Sequence, residues 1–339
     1  MGSILVTGGA GYIGSHTVGV LLHKGYDVVI LDDLSTGHQG ALDALAALKE
    51  KGRLLAGIQG DIADTALVSS LAKQYQVEAL IHFAAKSLVG ESMVKPDHYF
   101  IQNTAKSASL FSTLSRCGVK HLIFSSTAAV YGLPDRVPIP EETAARPINP
   151  YGESKRMIEQ MLHWMEQAYG MRWAALRYFN AAGAHPDGMI GEHHDPETHL
   201  IPLILQTALG HREAIHIFGT DYDTPDGTCI RDYIHVLDLA EAHVLALEGL
   251  KNGMPSGALN VGTGRGYSVR EVVEAARRLT ELAIPVVEDT RRAGDPPVLV
   301  AKADLLRQRL GWYPRYSSLD TILASAWRWH QWHPNGYQK

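Results

Sequence analysis

Cysteine is scarce in this chain: Cys117 and Cys229 are the two among 339 residues, far apart and in no C-x-x-C pair. That excludes a disulfide framework or a zinc knuckle and fits a reducing compartment. No apolar run reaches the length of a membrane span. Blocks of like charge are missing too. With 31 Lys and Arg against 36 Asp and Glu, the formal net charge is -5, and no electrostatic surface for nucleic acid or anionic lipid is expected. Any polyanionic ligand must therefore be met by local arginines. The start of the chain has neither a basic n-region nor an apolar h-region, so no signal peptide is expected. The opening "MGS" carries Val6 where a myristoylation pattern needs Ser or Thr. The expected location is cytoplasmic. Internal repeats and low-complexity tracts are absent as well.

What is present is a globular composition, 45% hydrophobic and 20% charged, enough for one large or two medium domains with real cores. The first half alternates short apolar runs with amphipathic stretches, the rhythm of βαβ units. Strands are expected at Ile4–Val6, Val28–Leu31, Leu54–Ile58, Ala79–Phe83, Leu122–Phe124 and Trp173–Leu176. Helices are expected near 12–24, 41–51, 64–75, 97–116 and 151–169, with Asp64 as an N-cap and Pro96 opening the fourth. Such a chain folds as an α/β, doubly wound parallel sheet with its ligand crevice at the carboxyl ends of the strands. Beyond about residue 180 the rhythm gives way to Gly-, Pro- and His-rich loops with isolated helices near 236–250, 268–282 and 316–331. The expected division is 1–180 and 181–339, a large nucleotide domain and a smaller α/β substrate domain. Residues 232–262 read as a further strand–helix unit able to return to the first sheet.

Between the first strand and first helix lies "TGGAGYIGSH", with Gly8, Gly11 and Gly14 in G-x-x-G-x-x-G spacing. Glycine permits the turn and lets the backbone approach a pyrophosphate, while the helix N-terminus offers free N–H groups to phosphate. The motif alone is weak, but its context is strand, loop, helix. Roughly twenty residues on, Asp32 ends the second strand, where an acid binds a ribose 2′-hydroxyl and repels a 2′-phosphate. NAD is thus favoured over NADP. After the fifth strand, "FSSTAAVYG" puts Ser125, Ser126 and Thr127 at a carboxyl end, where a hydroxyl can face the crevice. The run "NPYGESK" then opens a helix at Pro150, with Tyr151, Lys155, Ile158 and Leu162 on one stripe. Lys155 can simply snorkel its ammonium to water. Alternatively Tyr151 and Lys155, one turn apart, form a working pair. A cofactor and a hydroxyl beside the same helix start favour the pair: an ammonium and a cationic nicotinamide both favour a phenolate, which takes a proton from an alcohol while hydride leaves the same carbon.

From end to end the chain resembles the extended short-chain dehydrogenase/reductase proteins, and within them the UDP-glucose 4-epimerases. The resemblance is carried by "VTGGAGYIGSH", "LDDLSTG", "GDI", "IHFAAKSLVGES", "FSSTAAVYG", "PYGESK", "LRYFNAAGAHPDG", "HLIP", "IFGTDYDTPDGTCIRDYIHVLDLAEAH" and "RRAGDPP". It implies a Rossmann domain holding NAD tightly, transient oxidation of the sugar C4 hydroxyl to a 4-keto intermediate, rotation of that intermediate, and return of the hydride to its other face. By similarity Tyr151 is the acid/base, Thr127 its hydroxyl partner and Lys155 the modulator. Gly8, Gly11, Tyr12, Ile13 and Gly14 are implied at the pyrophosphate and Asp32, with Asp33, Leu34, Ser35, Thr36 and Gly37, at the ribose. Asp61 and Ile62 fall near the adenine; Phe83, Ala84, Ala85, Ser87, Asn103 and Phe179 line the cofactor. Around the uridine diphosphate the matching positions are Asn180, His199, Leu200, Phe218, Arg231, Arg292, Asp295 and Leu299, with Thr127 and Tyr151 also on the substrate. Guanidinium groups suit phosphate and an acid suits ribose hydroxyls. Whether Arg291 or Arg292 reaches phosphate is open by one position. A homodimer through helices near 97–116 and 151–169 is implied as well.

The chain departs from the pattern in places. Some members place a lysine where Ser87 stands, with Lys86 one residue earlier, so neither is assigned a catalytic role. Some have asparagine at His199, and some a bulky tyrosine at Leu299; the smaller leucine leaves room beside the sugar C2 and points to activity on N-acetylated sugars. A sugar-nucleotide dehydratase would carry an Asp-Glu pair where Ala128 and Ala129 stand. A 4-epimerase of another UDP-sugar, a uronic acid or a pentose, is harder to separate, and a redox-sensing NAD-binding protein need not keep Tyr151, Lys155 and Thr127 together. Glu192-His193-His194-Asp195 are consecutive in a Gly/Pro loop without the i, i+4 spacing of a zinc helix, so no metal is expected. The terminal "WRWHQWHPNGY" is expected to pack the last helix onto the body.

Overall fold

A computed structural model describes residues 2–292 and 295–337. Strands β1 (Ser3–Thr7), β2 (Val28–Asp32), β3 (Leu54–Gln59), β4 (Val77–His82), β5 (His121–Ser125) and β6 (Arg172–Tyr178) are followed by β7 (Asn180–Ala182), β8 (Ile215–Phe218), β9 (Ile230–His235), β10 (Gly257–Val261), β11 (Gly266–Ser268), β12 (Val286–Asp289) and β13 (Val298–Leu299). Among them run helices α1 (Tyr12–His23), α2 (Gln39–Ala47), α3 (Thr65–Gln74), α4 (Val89–Val94), α5 (Pro96–Tyr99), α6 (Lys106–Arg116), α7 (Pro150–Tyr169), α8 (Leu200–Ala208), α9 (Val236–Lys251), α10 (Val269–Thr280), α11 (Asp304–Leu310) and α12 (Leu319–Trp332).

The main sheet has seven parallel strands in the order β10-β6-β5-β4-β1-β2-β3. Its strands read as continuous apolar runs because both faces are covered: β1 and β2 are buried throughout. One face carries a core built from Val18, Leu21, Ile30, Ile81, Leu247 and their neighbours, under α1 and α9. The other packs Leu5, Leu80, Leu110, Phe124 and Leu162 under α3, α6 and α7. The order reverses between β1 and β4, and a ligand crevice opens at such a point, at the carboxyl ends of the strands. The segment 232–262 contributes β10, which pairs with β6 as Gly257↔Ala174 through Val261↔Tyr178. A third core, with Ile204, Tyr233, Val272 and Ile322, joins α8, α10 and α12 away from the main sheet.

The six expected strands and most helices fall where periodicity places them, and Asp64 caps α3 by accepting from Leu67 N–H at 2.9 Å. Three differences have local causes. The helix expected over 41–51 is Gln39–Ala47, ending because Leu48 turns extended. The helix expected over 97–116 is broken by a wide π-turn at Phe100–Ala105. The last helix starts at Leu319 rather than 316, where Ser318 accepts from Thr321 N–H.

Candidate active site

The glycine loop is set by backbone contact. Gly8 adopts φ +73, and a Cβ there would meet Ala84 N at 2.5 Å; a Cβ on Gly14 would stand 2.1 Å from Gly8 O. The loop therefore packs main chain to main chain against Phe83 and Ala84 just after β4 and against the first turn of α1, which leaves a bare cradle there. The Tyr12 hydroxyl donates to Gly183 O at 2.6 Å, while Ile13 joins the core under α1. Asp32 closes the cradle from the side: its carboxylate accepts from Ala10 N–H and Leu34 N–H, both at 2.9 Å. Burial raises its pKa and those two hydrogen bonds oppose the rise. The turn after it folds back over the loop, with Asp33 accepting from Ser35 N–H and a Cβ on Gly37 lying 2.8 Å from Asp32 Oδ1. Thr36 is exposed in this turn.

Along the crevice, Phe83 and Ala84 both donate main-chain N–H to Thr7 O, and Ala85 follows them half-buried. The π-turn explains Asn103. It points that side chain inward, where Oδ1 accepts from Lys86 N–H at 2.8 Å and Nδ2 donates to Ser154 Oγ at 3.0 Å. A widened turn at a functional site is a recurrent device. Ser87 is exposed. Asp61 accepts from Ala63 N–H and pairs with Lys106, whereas the Ile62 side chain is mostly taken up by the core beside Val68.

Helix α7 begins as the "NP" pair dictates. Asn149 accepts from Gly152 N–H at 2.8 Å and Pro150 occupies the first turn. Its buried stripe carries Tyr151, Lys155, Ile158, Glu159 and Leu162. Thr127 N-caps the short turn Ala128–Tyr131 by accepting from Ala129 N–H, and its hydroxyl sits beside the Tyr151 phenol. Burial pushes that phenol well above its ordinary pKa, Tyr178 and Tyr99 add to the rise, and the Thr127 hydrogen bond works against it. Lys155, 3% exposed, donates to Ser125 O at 2.9 Å. Burial lowers its pKa to about 7, with Glu159 opposing. The expected direct action of Lys155 on the phenol is thus not the resting arrangement, because the ammonium is turned to a strand-end carbonyl. Glu159 itself is committed elsewhere: it accepts from Ser126 Oγ at 2.6 Å and from Arg177 Nε at 3.0 Å. Sequence reasoning missed this buried tie between α7, β5 and β6; the signal was a second charge on the apolar stripe.

Across the crevice, Asn180 opens β7 beside β9, and Leu299 on β13 lies opposite Arg231. Leu299 and Phe179 pack against the Ala128–Tyr131 turn and Ile139. Arg231 and Asp295, assigned separately to phosphate and ribose, bind each other at 2.5 Å. The two adjacent arginines differ. Arg291 pairs with Asp221 at 2.6 Å and covers Tyr222, whereas Arg292 lies 3.9 Å over the Phe218 ring and has no carboxylate partner among the described residues. His199 N-caps α8, ahead of Leu200. The His/Glu loop does something its consecutive spacing concealed: Glu192 and His194 meet Glu197 and His199, not His193 or Asp195. Against burial, which disfavours the cations, the two carboxylates raise His194 to about 9 and His199 to about 10.

Fold and site define a doubly wound α/β protein with a glycine-rich turn before α1, and with Tyr151 and Lys155 on the buried stripe of α7. Residues 4–262 match the NAD dependent epimerase/dehydratase family. A UDP-glucose 4-epimerase of Streptococcus mutans is 52% identical over 337 residues, covering 99% of this chain and 98% of the relative. A crystal structure of a UDP-glucose 4-epimerase superposes with TM-score 0.94 at 51% identity, covering 99% of this chain and all of the other. That of the Brucella ovis UDP-glucose 4-epimerase, in complex with NAD, gives 0.91 at 48% identity over 96% and 98% of the two chains. The chain belongs to the NAD-dependent epimerase/dehydratase family, on the branch of the UDP-glucose 4-epimerases.

Proposed function

We propose that the chain interconverts UDP-galactose and UDP-glucose. The observation that carries this reading is the meeting of Thr127, Tyr151 and Lys155 at the end of β5, beside a cradle that three glycines keep bare. The donors fit NAD, which when bound supplies a hydride acceptor and gives the hydride back. Asp32 holds a ribose hydroxyl and leaves no room in charge for a 2′-phosphate. Asn103 fixes the loop after β4 against α7, so the cofactor wall and Tyr151 keep register. Tyr151 takes the proton of the C4 hydroxyl and later returns it, with the Thr127 hydroxyl bonding the reacting oxygen; a phenol this buried becomes a base only once cationic groups are at hand, which ties deprotonation to a loaded site. Lys155, neutral or charged at little cost near pH 7, suits both stages.

Around the substrate we assign Arg292 rather than Arg291 to the diphosphate, because Arg291 is already paired. Arg231 and Asp295 exchange their mutual bond for phosphate and ribose, joined by Asn180, His199, Leu200 and Phe218. The smaller lobe, 181–339 less the returned strand, is then the sugar-nucleotide side. Leu299, short and packed on the Thr127 turn, supports turnover of N-acetylated UDP-sugars as well. Ala128 and Ala129 in that turn supply no acid for a dehydratase. The exposed Met157 and Trp164, two turns apart on α7, support a homodimer through α6 and α7. No helix among the described residues is long and apolar enough to cross a membrane. A cytoplasmic location is supported by the free thiols of Cys117 and Cys229.

The test is incubation with UDP-galactose without added cofactor. UDP-glucose should form, and Tyr151→Phe should abolish it. No conversion by protein shown to contain NAD overturns the reading.

A further inference from the structure

Four side chains that the epimerase reading leaves without a chemical role as a set converge just ahead of α8. All four come from the loop that leads into the helix, with His199 at its N-cap position. Glu192 lies 2.9 Å from His199 Nδ1 and 3.4 Å from His194 Nδ1. Glu197 divides its carboxylate between the same two nitrogens, Oε1 at 3.3 Å from His199 and Oε2 at 3.5 Å from His194. One ligand atom from each residue can be chosen so that all lie within 4.8 Å of one another. In a tetrahedral centre with bonds of about 2.0–2.1 Å, neighbouring ligand atoms stand about 3.3 Å apart. The four His–Glu separations lie close to that length, and the remaining edges stay within 4.8 Å, so modest side-chain adjustment closes the set on one ion.

The chemistry of the set agrees. Both imidazoles present Nδ1 to the same two carboxylates, with rings inclined at 64°. His194 Nδ1 is buried yet makes no hydrogen bond of good geometry. Glu197 is preset by accepting from Thr198 N–H and His199 N–H at 2.7 Å and 2.8 Å. His193 is excluded: it stacks on His38 at 4.3 Å, and its Nδ1 accepts from Tyr337 N–H.

We propose that Glu192, His194, Glu197 and His199 bind one divalent transition metal of the zinc class in a closed, tetrahedral two-nitrogen, two-oxygen site. Two carboxylates neutralise the dication, and two imidazoles disfavour calcium or magnesium, which take oxygen ligands in larger number. With all four positions filled by protein the metal is structural. It clamps the 192–199 loop beside Tyr12, whose ring meets that of His194 edge-on at 6.3 Å. Tyr12 opens α1 at the glycine loop, so the clamp steadies the cradle from outside the reacting centre.

Untagged full-length protein, stripped with a chelator and desalted from zinc-containing buffer, is assayed for metal by plasma mass spectrometry. The stripped protein is also titrated with cobalt and followed by visible absorption. About one zinc per chain, intense tetrahedral cobalt bands and a higher melting temperature with zinc are expected. His194→Ala and Glu197→Gln should each weaken zinc binding at least tenfold, while His193→Ala leaves it unchanged. Trace zinc, no tetrahedral cobalt spectrum and no thermal shift in the wild-type chain overturn the proposal and leave the four groups as imidazolium–carboxylate pairs; that result is read on wild type and does not depend on whether a variant folds. Magnesium, run in parallel, should give no shift.

Discussion

Replacing Lys155 by methionine should stabilise the cofactor-free protein while disabling it. Lys155 is 3% exposed, and among the described residues its ammonium donates to Ser125 O at 2.9 Å. Glu159, the nearest counter-charge on its helix, is held by Arg177 and Ser126. Burial lowers the pKa of Lys155 to about 7, against about 10.4 in an unfolded chain. Between those values the unfolded chain binds more protons at this position, so stability rises with pH across that window; below it the folded protein bears the whole cost of a buried charge. A gap of roughly three units corresponds to on the order of 4 kcal/mol. Methionine keeps an unbranched stem and gives up one charge-assisted hydrogen bond, about 1.5–3 kcal/mol. The net gain for Lys155→Met is about 1–2 kcal/mol at pH 6, shrinking and then reversing toward pH 10. Urea denaturation of NAD-stripped protein at pH 6, 7.5 and 9 measures it, alongside turnover of UDP-galactose, expected to fall on the order of a hundredfold or more. A variant less stable than wild type at pH 6, or a difference that ignores pH, would refute the reasoning.

Other expectations follow from distances. Gly14→Ala puts a methyl 2.1 Å from Gly8 O; overpacking of about 1–3 kcal/mol should lower the melting temperature by several degrees and strip bound NAD, read by the cofactor released on denaturation. Arg292→Ala should raise KM for UDP-galactose about tenfold or more, as loss of a charge-assisted phosphate contact implies. Arg291→Ala, already neutralised by Asp221, should change KM by less than about threefold; equal effects would sink the assignment. Leu299→Tyr should remove activity on UDP-N-acetylglucosamine while sparing UDP-galactose, and wild-type protein inert toward the N-acetylated sugar would overturn the pocket argument.

Legibility from sequence followed the physics of each signal. Strands of a parallel sheet buried on both faces are apolar runs with glycine or polar punctuation, so β1 to β6 could be placed within a residue or two. The glycine turn and the start of the Tyr151 helix were legible because each depends on local backbone geometry, a positive φ at Gly8 and a proline at the first turn; the bond from Ala10 N–H to the Asp32 carboxylate, two elements away, was not. Lys155 was legible as an anomaly but its partner was not, since Ser125 O is a main-chain atom that no side-chain pattern records. The π-turn was invisible for the opposite reason: Phe100–Ala105 has ordinary helical composition, and tertiary bonds from Asn103 to Lys86 and Ser154 accompany its widening.

The His/Glu loop shows where local reasoning fails in kind. A search for i, i+4 ligands assumes that a helix presents them, yet Glu192, His194, Glu197 and His199 are spaced at i, i+2, i+5 and i+7 and are gathered by an irregular turn. The spacing excludes one scaffold for the ligands and says nothing about a loop closed by its own ends. What the loop needs is its own backbone: His199 stands at the N-cap position of α8, and Glu197 accepts from the Thr198 and His199 N–H groups just ahead of the helix. The proposed function also gives His199 to the diphosphate. Substrate grip and the proposed metal clamp then share one residue, so removing the metal should loosen UDP-sugar binding more than it slows the chemical step, a rise in KM exceeding any fall in kcat.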